Sequence, residues 1–334
     1  MSGNHSITIV IPTLNEEKNL PVCLASIERQ DYPRSLVEVI VVDNGSGDST
    51  VAVARKHGAK VLTNAILDAE RSKMIGLHES SADFFMYLDA DIELAGTAAL
   101  SQLERALREN EDVVGAFPRF APKKTAPSFS RCLRYHPLEL DPVLDFFCTR
   151  PEAVAIERRS DLIICDFSRK RVPPVGICLY RRTALVEALG GSKRFMDIDV
   201  PVILAGTGRG RMAYLPKAKI HHNSIANMSE LVKRSRRNLQ DVFLPGFAER
   251  KFRYLSPGSK KDFAKAILLV ALANTPVYFL ARGIWKSIAH RDIACMWEPA
   301  AACVLVDALI AGLLGSKKGR EYIRYLLGFG TAEK

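Results

Sequence analysis

The chain has 334 residues, 48% of them hydrophobic and 25% charged, which excludes intrinsic disorder and permits one large or two modest folded domains. Lysine and arginine exceed aspartate and glutamate by 47 to 37, and the net charge of +10 favours anionic partners such as phosphorylated molecules, nucleic acid or an anionic membrane. The seven cysteines form no CxxC pair, which argues against a disulfide framework or structural zinc and favours a reducing compartment.

The first 120 residues alternate short β-branched runs with longer amphipathic stretches, which is typical of parallel strands joined by helices. The predicted strands are Ile7–Ile11, Val37–Asp43, Lys60–Thr63, Phe84–Asp89 and Val113–Phe117. The predicted helices are Glu16–Gln30, Ser49–His57, Arg71–Ser81 and Thr97–Glu109. We therefore expect an α/β fold with a doubly wound, mostly parallel sheet. Because Met1–Ser6 has no basic segment and no hydrophobic leader follows it, we expect this part of the chain in the cytoplasm.

Residues 119–160 are less regular, rich in proline and basic, and we interpret them as an acceptor-binding insertion or lid, or as an ordinary surface excursion. Two more strands, Val175–Arg181 and Ala218–His222, and a short helix, Thr183–Leu189, are predicted after them. A basic amphipathic helix is then predicted over Ser229–Val242.

Two apolar runs follow the basic helix, Ala266–Ala281 and Ile293–Leu314. The first is shorter than the roughly 20 residues of a full membrane span, and the second contains Glu298 and Asp307. Basic residues flank the pair on both outer sides, at Lys260, Lys261, Lys317, Lys318 and Arg320. This pattern predicts membrane attachment, either as a hairpin with both flanks in the cytoplasm or as helices lying in the interface. The alternative is a hydrophobic helical subdomain buried in an oligomer.

Polar segments follow three of the predicted strands. In Leu88-Asp-Ala-Asp91 the two carboxylates alternate and so converge on one side of an extended segment, where they suit Mg²⁺ or Mn²⁺ holding a diphosphate. In Ile11-Pro-Thr-Leu-Asn-Glu16 polar groups precede a helix amino terminus, as in nucleotide sites. In Val42–Thr50 a carboxylate can accept hydrogen bonds from a base or ribose. The alternatives are turn and helix-cap roles for the same side chains.

Together the segments IPTLNEE, VVDNGSGDST and YLDADIEL resemble the family 2 inverting glycosyltransferases with the GT-A fold. Asp68–Gly76 resembles a fourth segment of the family, with Ile75 where an asparagine is usual. The resemblance covers roughly residues 6–245, so we expect a catalytic domain over 1–245 and a basic linker with a hydrophobic helical, membrane-associated region over 246–334.

The resemblance implies roles by position for seven residues near the strand ends. The nucleoside pocket would be lined by Pro12, Thr13 and Glu16, with Asp43 reaching the base. Arg71 would approach the diphosphate of the donor. Asp89 would contact the ribose or the metal ion, and Asp91 would coordinate the metal ion. For Arg71 a solvated position at a helix start is the alternative.

The resemblance also implies a general base and a third metal ligand. We prefer Asp199 as the base, with Ile198 where the family has a glutamate and Asp197 as the competing carboxylate. A helix cap is the alternative role for Asp199. The stretch before His222 matches a family segment that ends in a metal-binding histidine, and a surface or buried structural histidine is the alternative.

The basic helix can be interpreted in three ways. The family implies that Arg234, Arg236 and Arg237 contact phosphates of a nucleotide sugar or of a polyprenyl lipid. They could instead face a membrane surface, or form a solvated face without a ligand.

The sequence therefore predicts a membrane-associated inverting glycosyltransferase at the cytoplasmic face, dependent on Mn²⁺ or Mg²⁺. It would move sugar from a nucleoside-diphosphate sugar, with UDP expected, to a lipid-linked or growing-glycan acceptor. One alternative is a membrane-anchored scaffold whose catalytic site has decayed, and Ile75 and Ile198 are the residues that favour it. The other is a nucleotidyltransferase, although no glycine-rich and basic phosphate-binding loop follows the first strand. Nucleic acid is not an expected partner, because few aromatic residues interleave the basic runs. The sugar, the acceptor and the oligomeric state stay open.

Overall fold

The computed structural model describes residues 4–168, 172–223, 225–275 and 277–329. Its contacts divide the chain into two compact units. Unit 1 comprises the described residues of Met1–Ala121 and Thr149–Asn223, and unit 2 those of Pro122–Cys148 and Ser224–Lys334. The functional boundary expected at residue 245 stays a prediction.

The strands of the described chain are β1 Ile7–Thr13, β2 Val37–Asp43, β3 Lys60–Thr63, β4 Phe84–Tyr87, β5 Ile92–Leu94, β6 Gly115–Phe120, β7 Ala155–Arg158, β8 Ile163–Asp166, β9 Leu179–Arg181 and β10 Arg211–His222. The α-helices are α1 Leu20–Glu28, α2 Thr50–Lys56, α3 Ala69–Glu79, α4 Ala99–Arg108, α5 Ser128–Leu133, α6 Pro142–Phe147, α7 Arg182–Leu189, α8 Val200–Gly206, α9 Met228–Arg237, α10 Lys260–Asn274, α11 Val277–His290, α12 Glu298–Gly315 and α13 Lys317–Leu326.

Unit 1 is built on one sheet with the order β3-β2-β1-β4-β9-β6-β10-β8-β7, and β5 pairs with the end of β10. The pairs among β3, β2, β1 and β4 are parallel, as is the pair of β6 with β10. The other pairs are antiparallel. The sheet is therefore mixed rather than mostly parallel: the expected α/β class is confirmed, but five of its nine described strand pairs are antiparallel, and the parallel pairs are those among β1 to β4 and the pair of β6 with β10.

The apolar runs explain the centre of this sheet. Every residue of β1 is buried, and so are the last five residues of β2, because helices cover strands of a parallel sheet on both faces. Helix α3 approaches β1 closely: a Cβ added to Gly76 would lie 2.4 Å from both γ-carbons of Val10.

Several predicted boundaries differ from the observed ones. The first helix begins at Leu20 rather than Glu16, because residues 14–19 connect β1 to α1. The strand predicted to start at Ala218 begins at Arg211, because Met212–Leu215 already pair with β6. The strand predicted from Val175 begins only at Leu179. Strands β5, β7 and β8 were not predicted, and all three are only three or four residues long.

Unit 2 is helical in its described part, and its largest apolar cluster joins residues from α5, α6 and α9 to α12. The basic helix α9 ends at Arg237 and continues as a π-helical turn over Asn238–Phe243. The first apolar run is divided between α10 and α11, two helices whose directions differ by 76°. By length and composition alone, Ile293–Gly315 could cross a membrane, as could the bent pair if it were one span.

Candidate functional site

The candidate site lies in unit 1, where the first two parallel strands end at the same edge of the sheet. Thr13 and Asp43 are register partners, and the Thr13 hydroxyl donates to Asp43 Oδ1 at 3.2 Å. Asp43 Oδ2 accepts from the backbone N–H groups of Gly45 at 3.0 Å and Ser46 at 2.9 Å. The buried Asp43 carboxylate therefore orders the loop after β2, and Pro12 is buried beside Thr13 within β1.

The loops after β1 and β2 are tied together. The backbone N–H of Asn15 donates to Ser46 Oγ at 2.8 Å, and the N–H of Gly47 donates to Asn15 Oδ1 at 2.9 Å. Asn15 has φ 55°, a left-handed conformation that asparagine tolerates better than most residues. The polar rim at this edge is consequently ordered by its own hydrogen bonds.

Glu16 belongs to the same edge and faces the acidic segment after β4. It is half-buried and accepts a hydrogen bond from Asn19 Nδ2 at 2.8 Å. Burial raises the pKa of the Glu16 carboxyl, and repulsion from Asp91 and Asp89 adds to the rise. Three of the predicted site carboxylates are thus close enough to influence one another.

Asp91 and His222 meet because a short strand pairs with the end of a long one. β5 starts directly after Asp91 and runs antiparallel to β10, with His222 opposite Ile92. The backbone N–H of Asn223 donates to the Asp91 carbonyl at 2.8 Å. As a result His222 Nε2 lies 2.9 Å from Asp91 Oδ2, with the histidine side chain buried and the aspartate 23% exposed.

These two side chains have the chemistry of a partial metal site. Within the residues that the structure describes, no group of three His, Cys, Asp or Glu side chains converges closely enough to hold a metal ion. Asp91 and His222 offer a carboxylate oxygen and an imidazole nitrogen, ligand types that Mn²⁺ accepts. The pair fits an ion whose remaining ligands come from elsewhere, such as the oxygens of a diphosphate.

Asp89 interacts electrostatically both with this pair and with a buried lysine, Lys73. Burial raises the pKa of the Asp89 carboxyl; Asp91 and Asp197 raise it further, and Lys73 opposes the rise. The segment after β4 therefore concentrates negative charge at the sheet edge, which favours cations there.

Lys73, which the sequence analysis did not select, is the buried cation of this site. Its Nζ lies 3.2 Å from Glu70 Oε1, 3.6 Å from Asp197 Oδ2 and 4.2 Å from the centre of the Tyr87 ring. Burial lowers the pKa of Lys73, but the carboxylates of Asp197, Glu70 and Asp89 raise it by more, so the ammonium group stays charged. The sequence feature that could have identified Lys73 is its position two residues after the exposed Arg71, which places a lysine on the inner face of α3.

The two candidate bases have different surroundings. The Asp197 side chain is 31% exposed, and its Oδ2 accepts a hydrogen bond from the Tyr87 hydroxyl at 3.0 Å. Asp199 is 4% exposed and precedes α8 without a side-chain capping bond. Asp197 is thus the more exposed of the two residues.

The remaining predicted contacts stay untested. Arg71 is exposed at the start of α3, and its proposed diphosphate contact stays a prediction. The basic residues of α9 belong to unit 2, and their proposed phosphate or lipid contacts also stay predictions; they are Arg234, Arg236 and Arg237.

Residues 8–163, a little under half of the chain, match the family model described as Glycosyl transferase family 2. Among curated proteins, a 4,4'-diaponeurosporenoate glycosyltransferase of Staphylococcus haemolyticus is 35% identical over 105 residues, which are 29% of this chain and 27% of that protein. Glycosyltransferase AglE of Haloferax volcanii is 34% identical over 91 residues, which are 25% of this chain and 30% of that protein. The match thus spans less than a third of either relative.

Solved structures show the fold. A mannosyltransferase of Pyrobaculum calidifontis, in complex with GDP-Man and Mn²⁺, superposes with a TM-score of 0.54 at 16% identity, covering 95% of this chain and 89% of that one. Glucosyl-3-phosphoglycerate synthase of Mycobacterium tuberculosis, in complex with Mn²⁺, UDP and phosphoglyceric acid, gives 0.51 at 20% identity, covering 75% and 80%. The sheet of unit 1 accordingly has the GT-A glycosyltransferase fold.

Proposed function

We propose that the protein transfers a sugar from a nucleoside-diphosphate sugar, with inversion, to a lipid-linked or glycan acceptor at the cytoplasmic face of a membrane, because residues 8–163 match the family model described as Glycosyl transferase family 2. The observation that carries this proposal is the edge of the sheet where Asp89, Asp91 and His222 meet the ordered loops after β1 and β2. Open α/β sheets bind their ligands at the carboxyl ends of their strands.

The donor side of the site is assigned to residues of unit 1. The nucleoside would bind between the loops held by Asp43 and Asn15, against Thr13 and Glu16. Asp91 and His222 would hold a divalent ion, which when bound offsets the negative charge of the donor diphosphate. The structures with GDP-Man or UDP and Mn²⁺ support a nucleotide donor and a metal in this fold.

We assign the general base to Asp197, which reverses the preference for Asp199 that the sequence suggested. An ionised carboxylate has about four acceptor positions, so Asp197 can accept the acceptor hydroxyl's proton while Tyr87 and Lys73 orient it. The Lys73 cation also stabilises the negative charge that the base must carry before it takes the proton.

Donor binding tests the proposal. Calorimetry of the detergent-purified full chain with UDP-glucose, UDP-N-acetylglucosamine and GDP-mannose is expected to show one donor that binds with Mn²⁺ and binds at least tenfold more weakly after chelation. Asp91→Ala should remove the metal dependence without unfolding the chain. A folded protein that binds none of these donors would favour the scaffold alternative.

The choice of base is tested by two matched substitutions. Asp197→Asn should leave donor affinity unchanged and lower the turnover of sugar transfer by about 10²–10⁴-fold, the usual contribution of a general base. Asp199→Asn should lower turnover by less than about tenfold, because a buried side chain does not meet the acceptor. The reverse pattern, measured on variants with equal donor affinity, would return the assignment to Asp199.

A further inference from the structure

Helix α11 in unit 2 has its charged side chains inside and its apolar side chains outside. Arg282 pairs with Asp145, and its Nε lies 2.6 Å from Glu298 Oε1. Lys286 Nζ lies 3.1 Å from the same Glu298 oxygen. Glu298 is 1% exposed and Lys286 8%. The only Lys and Arg side chains of α11 are therefore turned toward the interior of unit 2 and neutralised there.

The outward side of α11 carries no charge. Its exposed residues recur at helical spacing and are all apolar or aromatic; they are Val277, Tyr278, Leu280, Ala281, Ile284, Trp285, Ile288 and Ala289. The two most exposed, Val277 and Ile288, are 75% and 74% accessible. In water this arrangement is inverted, since solvent-facing helix positions are normally polar.

Helix α10 also exposes mainly apolar residues. Beyond the lysines of its first turn, its exposed residues are apolar apart from Asn274; they are Phe263, Ala264, Ile267, Leu268, Val270 and Ala271. Its buried residues, Leu269 and Ala273, pack in the cluster that also contains Phe279 of α11. We call the exposed apolar residues of α10 and α11 together the outer face.

The charge of the chain is concentrated in the same unit. Unit 2 has 22 Lys and Arg against 12 Asp and Glu, whereas unit 1 has 25 of each, so the entire net charge of +10 belongs to unit 2. Exposed basic residues stand at both ends of the helix pair, at Lys260, Lys261 and Arg291. An apolar face bordered by cations is complementary to a bilayer whose headgroups are anionic.

Helix α12 passes the length test for a span but is a core helix of unit 2. It begins at Glu298, the carboxylate that receives both cations of α11. Ala301, Ala302, Leu305 and Val306 are buried in the unit's apolar cluster. Ion pairs at its first residue and apolar packing along one side therefore tie α12 to the interior of unit 2.

We propose that the outer face of α10 and α11 lies in the interface of an anionic lipid bilayer, with both helices lying along the surface. This deepens the proposed function, on which it rests, by naming the surface through which a lipid-borne acceptor is met. Because the ion pairs hold Arg282 and Lys286 on the inner side of α11, the exposed side of the helix carries only apolar and aromatic residues.

The position of Trp285 provides the test, because the chain has two tryptophans and Trp285 is 62% exposed on the outer face. Trp297→Phe leaves Trp285 as the single reporter in the full chain. Vesicles of equal parts phosphatidylcholine and phosphatidylglycerol should shift its emission to shorter wavelength, and phospholipids brominated on the acyl chain should quench it. Unshifted, unquenched emission from protein mixed with vesicles overturns the proposal.

A matched pair of substitutions separates the outer face from general surface hydrophobicity. Ile288→Asp should lower the vesicle partition coefficient by about tenfold or more, because an aspartate is strongly disfavoured in lipid. Leu67→Asp is the control in unit 1, where Leu67 is also 74% exposed; it should partition like the unaltered chain. Equal partitioning of the two variants overturns the proposal.

Two further outcomes are informative. A blue shift of Trp285 that grows with protein concentration in the absence of vesicles would identify a second copy of the chain as the occupant and overturn the proposal. Donor calorimetry on the same samples separates the two hypotheses: vesicle binding without donor binding overturns the proposed function alone, and donor binding without vesicle binding overturns this inference alone.

Discussion

Lys73 is the residue on which the acidic site depends at the scale of single side chains. Its ammonium group lies 3.2 Å from a Glu70 carboxylate oxygen and 3.6 Å from one of Asp197, and it also offsets Asp89. Removing one partner of a buried ion pair leaves uncompensated charge, which costs about 3–5 kcal/mol. Lys73→Met should therefore lower the free energy of unfolding by about 3 kcal/mol at pH 8, measured by urea denaturation.

The same variant should lose less stability at pH 6, because Glu70 can then take up a proton and remove part of the repulsion. Lys60→Met is the control, since Lys60 forms an exposed pair with Glu79. Exposed pairs contribute less than about 1 kcal/mol. If the two variants lose equal stability, the buried cluster has no special role.

Glu70 gives the stability of the protein a pH dependence. Burial raises the pKa of its carboxyl from 4.5 to about 7, although Lys73 offsets part of the rise. The folded state therefore holds this proton more tightly than the unfolded chain, so the stabilisation is complete below about pH 4.5 and lost as the pH rises through 7. We expect the difference in unfolding free energy between the unaltered chain and Glu70→Gln to change by up to about 3 kcal/mol between pH 4.5 and 8. Parallel curves for the two proteins would contradict the raised pKa.

At the scale of secondary-structure elements, the apolar pattern of the sequence predicted the strands whose residues are buried on both faces. The run Val37–Asp43 was predicted with its observed bounds, because a strand covered on both faces is apolar without interruption. Asp89 and Asp91 could be selected for the same reason, since they follow such a strand.

The remaining features of the site depend on pairing between segments that are distant in sequence, and the periodicity of a single segment does not predict such pairing. β5 is three residues long and exists because β10 lies beside it, and that pairing is what brings His222 to Asp91. Lys73 was missed because its three partners come from α3, β4 and the turn before α8. A lysine at an inner helix position is recognised as a site residue only when those partners are known.

The packing of α3 on β1 predicts a steric effect at Gly76. A methyl group there would meet the Val10 side chain at 2.4 Å, so Gly76→Ala should destabilise the fold by about 1–3 kcal/mol. Adding Val10→Ala should recover part of the loss, because the clash is with the valine side chain. Gly191→Ala is the control, since nothing lies within 4 Å of the place that its methyl group would take. Equal urea midpoints for Gly76→Ala and Gly191→Ala would show that the helix shifts without cost.

For the whole molecule, the distribution of charge separates two contributions to membrane binding. Unit 1 is neutral and carries the acidic site, whereas unit 2 carries all of the net charge and the outer face. Attraction of unit 2 to anionic headgroups is screened by salt, since the Debye length falls from about 10 Å at 0.1 M to about 3 Å at 1 M. Burial of apolar side chains is not weakened by salt in this way.

Vesicle flotation at the two salt concentrations should therefore separate the contributions. The unaltered chain should keep measurable binding to phosphatidylcholine–phosphatidylglycerol vesicles at about 1 M salt, and Ile288→Asp should lose it there. Replacing Lys260 and Lys261 with Gln should weaken binding at about 0.1 M salt, by about 1 kcal/mol for each charge, and should match the unaltered chain at high salt. If high salt instead lowers the unaltered chain to the level of Ile288→Asp, charge alone holds the protein at the bilayer, and the apolar residues exposed on α10 and α11 do not enter it.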